Sequence, residues 1–268
     1  MLRINGVQIG QKDEGNGKWM LGLILGVFLI GTGTVAALAG NEILAEVDTV
    51  MQSDSRSMSQ TMTLFSASGQ SRTRELQVFS DSTGGEDQML VRFIAPADVR
   101  GTGLLMDGDD MYLYMPALGR VRRIAGHAKQ GSFMGSDFSY VDMEQFGTRG
   151  FAVDYQAIFV ETQSVGDREA YQLQLEPTSD SEYSKLAMWV DSERYLPLQI
   201  HYFDKQGEHF KTLTTSEFAL FDDRWTATNM LMENVQSGTK TEIIVEQVDF
   251  NAAFEASIFT TRNLERGQ

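Results

Sequence analysis

The chain has 268 residues, a formal net charge of −15 at pH 7 and no cysteine. Without cysteine it can form neither a disulfide nor a thiolate metal site, and it cannot carry the lipid-modified cysteine of a lipoprotein. So acidic a surface repels phosphate backbones and anionic membrane faces, which argues against nucleic acid as a partner.

The first forty residues are organised like an export signal. A polar leader ends near Lys18, residues 20–37 are apolar and uncharged, and Ala37 and Ala39 satisfy the small-x-small rule for cleavage. We therefore expect residues 1–39 to be a signal peptide cut near Ala39, and residues 40–268 to form one domain in the periplasm. The apolar run is also long enough for a marginal membrane span, so a retained anchor is the alternative.

Residues 41–52 open this domain with apolar residues at helical spacing, among them Leu44 and Val47. Asn41 stands where an N-cap would stand, because its side chain can accept a backbone N–H of the first turn. The pattern predicts one amphipathic helix.

The apolar period then changes from about 3.6 to two, which is typical of strands. Glycine and aspartate turns separate the alternating segments, and no helical crossover lies between them. We expect an antiparallel meander of about eleven strands that curls or closes into a barrel. The predicted strands fall within residues 57–68, 72–80, 89–95, 103–107, 111–115, 157–165, 168–176, 185–191, 196–203, 209–218, 224–234 and 239–249.

Residues 120–150 interrupt this rhythm with glycine, serine, phenylalanine and methionine, and residues 142–146 could form a short helix. Long irregular segments in a compact domain are often functional loops.

No pattern in the chain specifies a catalytic, cofactor or metal site. Three histidines, His127, His201 and His209, lack metal-ligand spacing, and there is no nucleophile elbow or phosphate-binding turn. One enzymatic alternative remains open because carboxylates are abundant: a hydrolase pair of Asp137 with Asp142 or Glu144.

Residues 89–140 are rich in large apolar side chains, and the strand at 111–115 is apolar on both faces. Such a strand is either buried on both sides in the core or faces a lipid-sized pocket on one side, where methionine suits cargo of varied shape. The second interpretation makes the following residues candidates for lipid binding: Leu104, Met106, Met111, Leu113, Met115, Phe133, Met134 and Phe138.

Arg120, Arg122 and Arg123 form the densest basic cluster of this acidic chain. Arg122 or Arg123 could bind a lipid headgroup, or bind Asp137 and so fasten the loop. A solvated turn with a surface ion pair is the equal alternative.

Four segments carry a family resemblance: residues 92–96 (RFIAP), 101–105 (GTGLL), 111–124 (MYLYMPALGRVRRI) and 131–142 (GSFMGSDFSYVD). With them, nearly the whole of residues 40–268 resembles the outer-membrane lipoprotein-sorting protein family, which is related to the LolA and LolB carriers.

The resemblance implies a mainly β fold: a strongly curved antiparallel sheet forming an incomplete barrel, with a few helices as a lid over an apolar cavity. It also implies a monomeric periplasmic carrier that shields acyl chains of a lipoprotein or lipid, without a cofactor, and an inner-membrane transporter of the resistance-nodulation-division type as a partner. The alternative is an adaptor of such a transporter that carries no lipid and whose cavity is only core.

Overall fold

The computed structural model describes residues 32–267, which contain one thirteen-stranded antiparallel sheet and three α-helices. The predicted signal peptide lies almost entirely outside the described residues. The helices are α1 (Thr32–Met51), α2 (Tyr140–Glu144) and α3 (Thr261–Arg266). The strands are β1 (Ser55–Phe65), β2 (Ser71–Asp81), β3 (Gln88–Ala95), β4 (Gly103–Asp107), β5 (Asp110–Met115), β6 (Arg120–Arg123), β7 (Tyr155–Val165), β8 (Arg168–Pro177), β9 (Lys185–Asp191), β10 (Pro197–Phe203), β11 (His209–Phe221), β12 (Arg224–Asn234) and β13 (Thr239–Asp249).

Two meanders meet in the middle of the sheet, where β1 pairs with β13. The strand order is β6-β5-β4-β3-β2-β1-β13-β12-β11-β10-β9-β8-β7, so the edges are β6 and β7, which follow one another in the chain. These edges do not pair with each other in the part of the chain that the structure describes. The sheet is therefore curved but unclosed, as the incomplete barrel requires.

β6 is the strand that the alternation rule missed. The twelve predicted segments, one more than the expected count of about eleven, each correspond to one of the other twelve strands. Three of its four residues are arginines, so it carries no apolar period. It exists because it pairs with β5, where Leu113 lies opposite Arg122. Charged side chains on an edge strand also oppose pairing with a second chain.

α1 is longer than predicted, because it begins at Thr32 rather than near residue 41. The expected N-cap role of Asn41 is therefore wrong: its side-chain oxygen accepts the backbone N–H of Ala157 in β7 at 2.8 Å. Gly40 lets the helix approach β7 this closely, since a Cβ there would lie 2.4 Å from the carbonyl oxygen of Ala157. Leu44 and Val47 are fully buried against the sheet.

Strands β3 to β6 are covered by other parts of the chain on both faces of the sheet. The inner face carries the main core together with α1 and residues 131–150. The outer face of β3 to β6 is covered by the C-terminal segment, whose Phe259 and Leu264 are buried against Leu90 and Leu105. This second cluster explains why β5 is apolar on both sides. None of the helices within residues 32–267 is long and apolar enough to span a membrane.

Candidate functional site: an apolar cavity beneath a helical lid

The connection between the two sheet edges folds over the inner face, and we call its residues 131–150 the lid. Ser132 bridges to Ser139, α2 follows, and one π-helical turn, Gln145–Arg149, completes it. Ser139 caps α2, because its hydroxyl accepts the N–H of Asp142 while the carboxylate of Asp142 accepts the N–H of Ser139. The predicted short helix is thus confirmed, although it begins two residues earlier, whereas the predicted irregular segment is wrong at its start, where residues 120–123 form β6.

An apolar cavity of about 150 Å³ lies beneath the lid. Its few polar lining side chains include Arg56 and Gln60. Trp225 also lines it and is 42% exposed, so the cavity reaches the surface beside this side chain. The apolar wall comprises Val50 and Met51 from α1, Phe138, Met143 and Phe146 from the lid, Met58, Val78, Met89, Val91, Met230, Ile243 and Val245 from the strands, and Leu196, Trp225 and Phe250.

The cavity is smaller than the pockets that hold drug-sized ligands, which have roughly 300–1,000 Å³. A dry apolar cavity of about 150 Å³ admits a group the size of benzene. A long acyl chain would therefore have to displace the lid or the side chains around the cavity.

A buried ion pair fastens the lid to the sheet. Nζ of Lys211 on β11 donates to the carboxylate of Asp142 at 2.5 Å, and neither side chain is more than 2% exposed. The hydroxyl of Tyr183 donates to the other carboxylate oxygen at 2.9 Å. Burial, and then the charge of Asp142, raises the pKa of Tyr183 well above its ordinary value, so this hydroxyl keeps its proton.

Asp137 makes the second attachment of the lid, to β13. The hydroxyl of Thr241 donates to its carboxylate at 2.7 Å, and its backbone N–H donates to the same hydroxyl at 2.9 Å. Thr239 also donates to this carboxylate. Asp137 therefore fastens the loop, as one sequence alternative held, but its partners are threonines rather than the arginine cluster.

A second cavity, of about 450 Å³, lies on the other side of the lid and is polar. It is lined by Glu144, Gln145 and Arg149 of the lid and by Tyr155, among others. Burial raises the pKa of Tyr155 to about 12. Residues of the lid thus line both an apolar cavity and a polar one, so neither side of the lid is fully packed.

Phe138 is the one predicted lipid-binding residue that lines the apolar cavity within residues 32–267. Met115 and Met134 are partly buried against the main core. The other five are buried within that core: Leu104, Met106, Met111, Leu113 and Phe133.

The two arginines predicted to bind a headgroup lie on β6 at the surface. Arg122 is exposed, and Arg123 is exposed and forms an ion pair with Asp110. The carboxylates of the enzymatic alternative are each occupied: Asp142 binds Lys211, Glu144 binds Lys129 at 2.6 Å, and Asp137 binds the threonines of β13.

Sequence reasoning missed most of the cavity wall, because the wall is assembled from strands far apart in the chain. Met58 on β1, Met230 on β12 and Val245 on β13 meet only through the central pairing of β1 with β13. Arg56 was also missed, since a single arginine at the start of an alternating strand gives no local signal.

The comparisons with known proteins agree on this architecture. A family model described as an uncharacterized protein matches residues 85–266. A domain described as an outer-membrane lipoprotein-sorting protein from Vibrio parahaemolyticus is 31% identical, with 86% of this chain and 100% of that chain covered and a TM-score of 0.79. A DUF1329 family protein from Desulfovibrio piger is 28% identical, with 85% and 99% covered and a TM-score of 0.80.

More distantly, a LolA superfamily protein from Nitrosomonas europaea is 21% identical over 84% of this chain and 98% of that chain, with a TM-score of 0.69. At this identity the likeness concerns the fold alone. No curated protein gives a significant match to the sequence.

Proposed function

We propose that this chain, which belongs to the family of outer-membrane lipoprotein-sorting proteins, is a periplasmic carrier of acyl chains. Its cargo is a lipoprotein or a lipid on its way towards the outer membrane. The observation that carries the proposal is the apolar cavity between the sheet and the lid, which reaches the surface beside Trp225.

Burial of an acyl chain supplies the driving force without any reaction. Each buried CH₂ contributes roughly 0.8 kcal/mol, so a chain of about sixteen carbons gains on the order of 10 kcal/mol before the costs of ordering it. Methionines from three strands line the cavity: Met58, Met89 and Met230. Their flexible side chains can adapt to chains of different shape.

Entry of a whole chain requires the cavity to expand. The lid moves into the polar space behind it, and the seven predicted residues outside the present wall, such as Met106 and Leu113, then contact the cargo. A cargo or partner that binds the open lid more tightly than the closed one shifts this equilibrium.

A substitution that fills the cavity tests the carrier function. Val245 is 5% exposed and lines the cavity, whereas Val160 on β7 is 50% exposed. In Val245→Phe we expect uptake of a fluorescent fatty acid to fall by about tenfold or more, because the ring occupies the space of the chain. Val160→Phe should take up the probe like the unmodified protein. Unchanged uptake by a folded Val245→Phe protein would contradict the proposal.

The periplasmic location rests on the export signal proposed for residues 1–39. Cleavage after Ala39 would remove the first residues of α1 and keep Gly40 and Asn41, which hold the helix on β7. N-terminal sequencing of the protein from a periplasmic fraction should begin at Gly40. Detection of the uncut chain in the inner membrane would favour a retained anchor.

The proposed partner is an inner-membrane transporter, and the proposed state of the carrier is a monomer. Both rest on the family resemblance. Crosslinking in cells, followed by identification of the adducts, should capture such a transporter with the carrier.

A further inference from the structure

Two guanidinium groups lie together at one end of the apolar cavity. Arg56 on β1 lines the cavity, and Arg224 on β12 packs over the ring of Phe250, another lining residue, at 4.8 Å. Arg224 directly precedes Trp225, beside which the cavity reaches the surface. Any amphiphile with its chain in the cavity and its head at this opening would meet both positive charges.

Neither arginine has a carboxylate partner within residues 32–267, in a protein whose net charge is −15. The nine ion pairs found there include neither side chain. Asp222 and Asp223 stand beside Arg224 in the chain without pairing with it. Burial, and then the charge of Arg224, lowers the pKa of Arg56 to about 10. Two like charges are thus held close together without a compensating anion.

The end of α1 accounts for part of this arrangement. Arg56 donates to the carbonyl oxygen of Met51 at 3.1 Å and to the hydroxyl of Ser80 at 3.3 Å, and Arg224 donates to the carbonyl oxygens of Val50 and Gln52. Cations are favourable at a helix C-terminus. However, a guanidinium has five N–H donors, and these contacts use fewer than half of the ten available. The remaining donors of the pair suit the oxygens of an anion, which bind a planar fork strongly.

We propose that Arg56 and Arg224 bind the anionic headgroup of the amphiphile whose acyl chain enters the cavity. The cargo is therefore an acyl compound with a carboxylate or a phosphodiester head, rather than a neutral one. This inference rests on the proposed carrier function and adds the charge of its cargo. It places the headgroup at the end of α1, away from the arginines of β6.

The test compares ligands that share one acyl chain. Isothermal titration calorimetry would measure binding of lauroyl lysophosphatidylglycerol, laurate and monolauroylglycerol, each below its critical micelle concentration. We expect at least one anionic ligand to bind about tenfold or more tightly than the neutral glyceride, because hydrogen bonds to charged groups are the strong ones. The two anionic arms distinguish a phosphodiester from a carboxylate. The preference should shrink as salt is raised.

The ratio of anionic to neutral affinity should fall close to one in Arg56→Gln/Arg224→Gln. The matched control, Arg72→Gln/Arg262→Gln, removes two exposed arginines and should keep the ratio. The variant Arg56→Lys/Arg224→Lys retains both charges and should recover part of the preference. Circular dichroism identifies any variant that fails to fold. In that case, the comparison of the anionic and neutral ligands on the unmodified protein still tests the proposal.

Equal binding of anionic and neutral ligands by the unmodified protein would overturn the headgroup site and leave the carrier function intact. Loss of the preference in Arg122→Gln/Arg123→Gln instead would also overturn it, by placing the headgroup on β6. Binding of none of the three ligands would overturn the carrier function together with the headgroup site.

Discussion

The ion pair between Lys211 and Asp142 is the strongest attachment of the lid at the residue scale. Both charged groups of this pair have further partners. The carboxylate of Asp142 also accepts hydrogen bonds from the hydroxyl of Tyr183 and the N–H of Ser139. The ammonium of Lys211 lies over the rings of Tyr183 and Tyr202, at 5.0 and 5.1 Å from their centroids. A buried ion pair of this kind adds little net stability when both partners are present, but removal of one partner leaves the other as an unpaired buried charge. The lid is therefore held in one position rather than merely packed.

Lys211→Met should destabilise the protein by about 3–5 kcal/mol, because Asp142 is left as an unpaired buried carboxylate. Asp142→Asn in the same chain should restore part of the loss. Urea denaturation followed by circular dichroism measures both. The control is Lys205→Met, which breaks the exposed pair with Asp180 and should cost less than about 1 kcal/mol. A loss below 1 kcal/mol for Lys211→Met would mean that the buried pair does not hold the lid.

Glu182 gives the lid region a pH dependence. The carboxylate of Glu182 accepts a hydrogen bond from the hydroxyl of Ser139 in the lid. Burial, followed by the charge of Asp142, raises the pKa of Glu182 above the ordinary value of 4.5. Protonation of Glu182 therefore stabilises the folded state. This contribution is present below the ordinary pKa and is lost as pH rises through the raised folded-state pKa.

Glu182→Gln removes this titration, so the variant should gain stability relative to the unmodified protein as pH rises from about 4 to 7. Denaturation curves at a series of pH values provide the difference in free energy of unfolding. A difference that stays constant, or that falls with rising pH, would contradict the assignment. Glu176→Gln, at an exposed position on β8, serves as the control and should show no such trend.

At the scale of elements, the trailing end of the lid is tied to α1. The carboxylate of Asp48 accepts the N–H groups of Phe151 and Ala152, both at 2.8 Å. Gly150 precedes them with φ of 72°, and a Cβ there would lie 2.7 Å from the carboxylate carbon of Asp48. Only glycine fits this turn, so the lid ends at a fixed point on the helix while its middle is fastened to β11 and β13.

Asp48→Ala should cost about 1–2 kcal/mol, since the backbone donors of Phe151, which is buried, and of Ala152, which is exposed, both lose their acceptor. Amide hydrogen exchange should also become faster across residues 140–152 than in the sheet. Mass spectrometry of exchanged peptides measures the effect. Asp54→Ala, at an exposed aspartate, should leave the exchange of these peptides unchanged. Equal protection of residues 140–152 in Asp48→Ala would show that the tether does not restrain the lid.

At the scale of the molecule, most of the sheet could be predicted because alternation and turn residues are local signals. β9, β12 and β13 have the predicted bounds, Lys185–Asp191, Arg224–Asn234 and Thr239–Asp249. β6 could not be predicted, since it is a strand only by its pairing with β5. The family resemblance gave the lid, and Phe138 was the predicted residue that proved to line the cavity.

The rest of the site depends on which strands are neighbours in the sheet, and the local sequence of a strand does not indicate its neighbours. The cavity wall is built from both meanders. Arg56, which lines the cavity, and Arg224, which packs over the lining residue Phe250, come from β1 and β12, about 170 residues apart in the chain. The buried partner of Asp142 lies 69 residues away in the chain. Lys211 could not be identified as this partner from the sequence, because it resembles any other polar residue of an alternating strand.

The carriage of acyl chains by this molecule underlies its proposed function and the proposed headgroup site. Native mass spectrometry, with lipid extraction, of the processed protein purified from periplasm without detergent tests it most directly. We predict an acyl-chain species bound at close to one per protein, with an anionic head. A bare protein mass, together with failure to take up a fluorescent fatty acid, would contradict acyl-chain carriage and favour the adaptor that binds a membrane transporter without lipid.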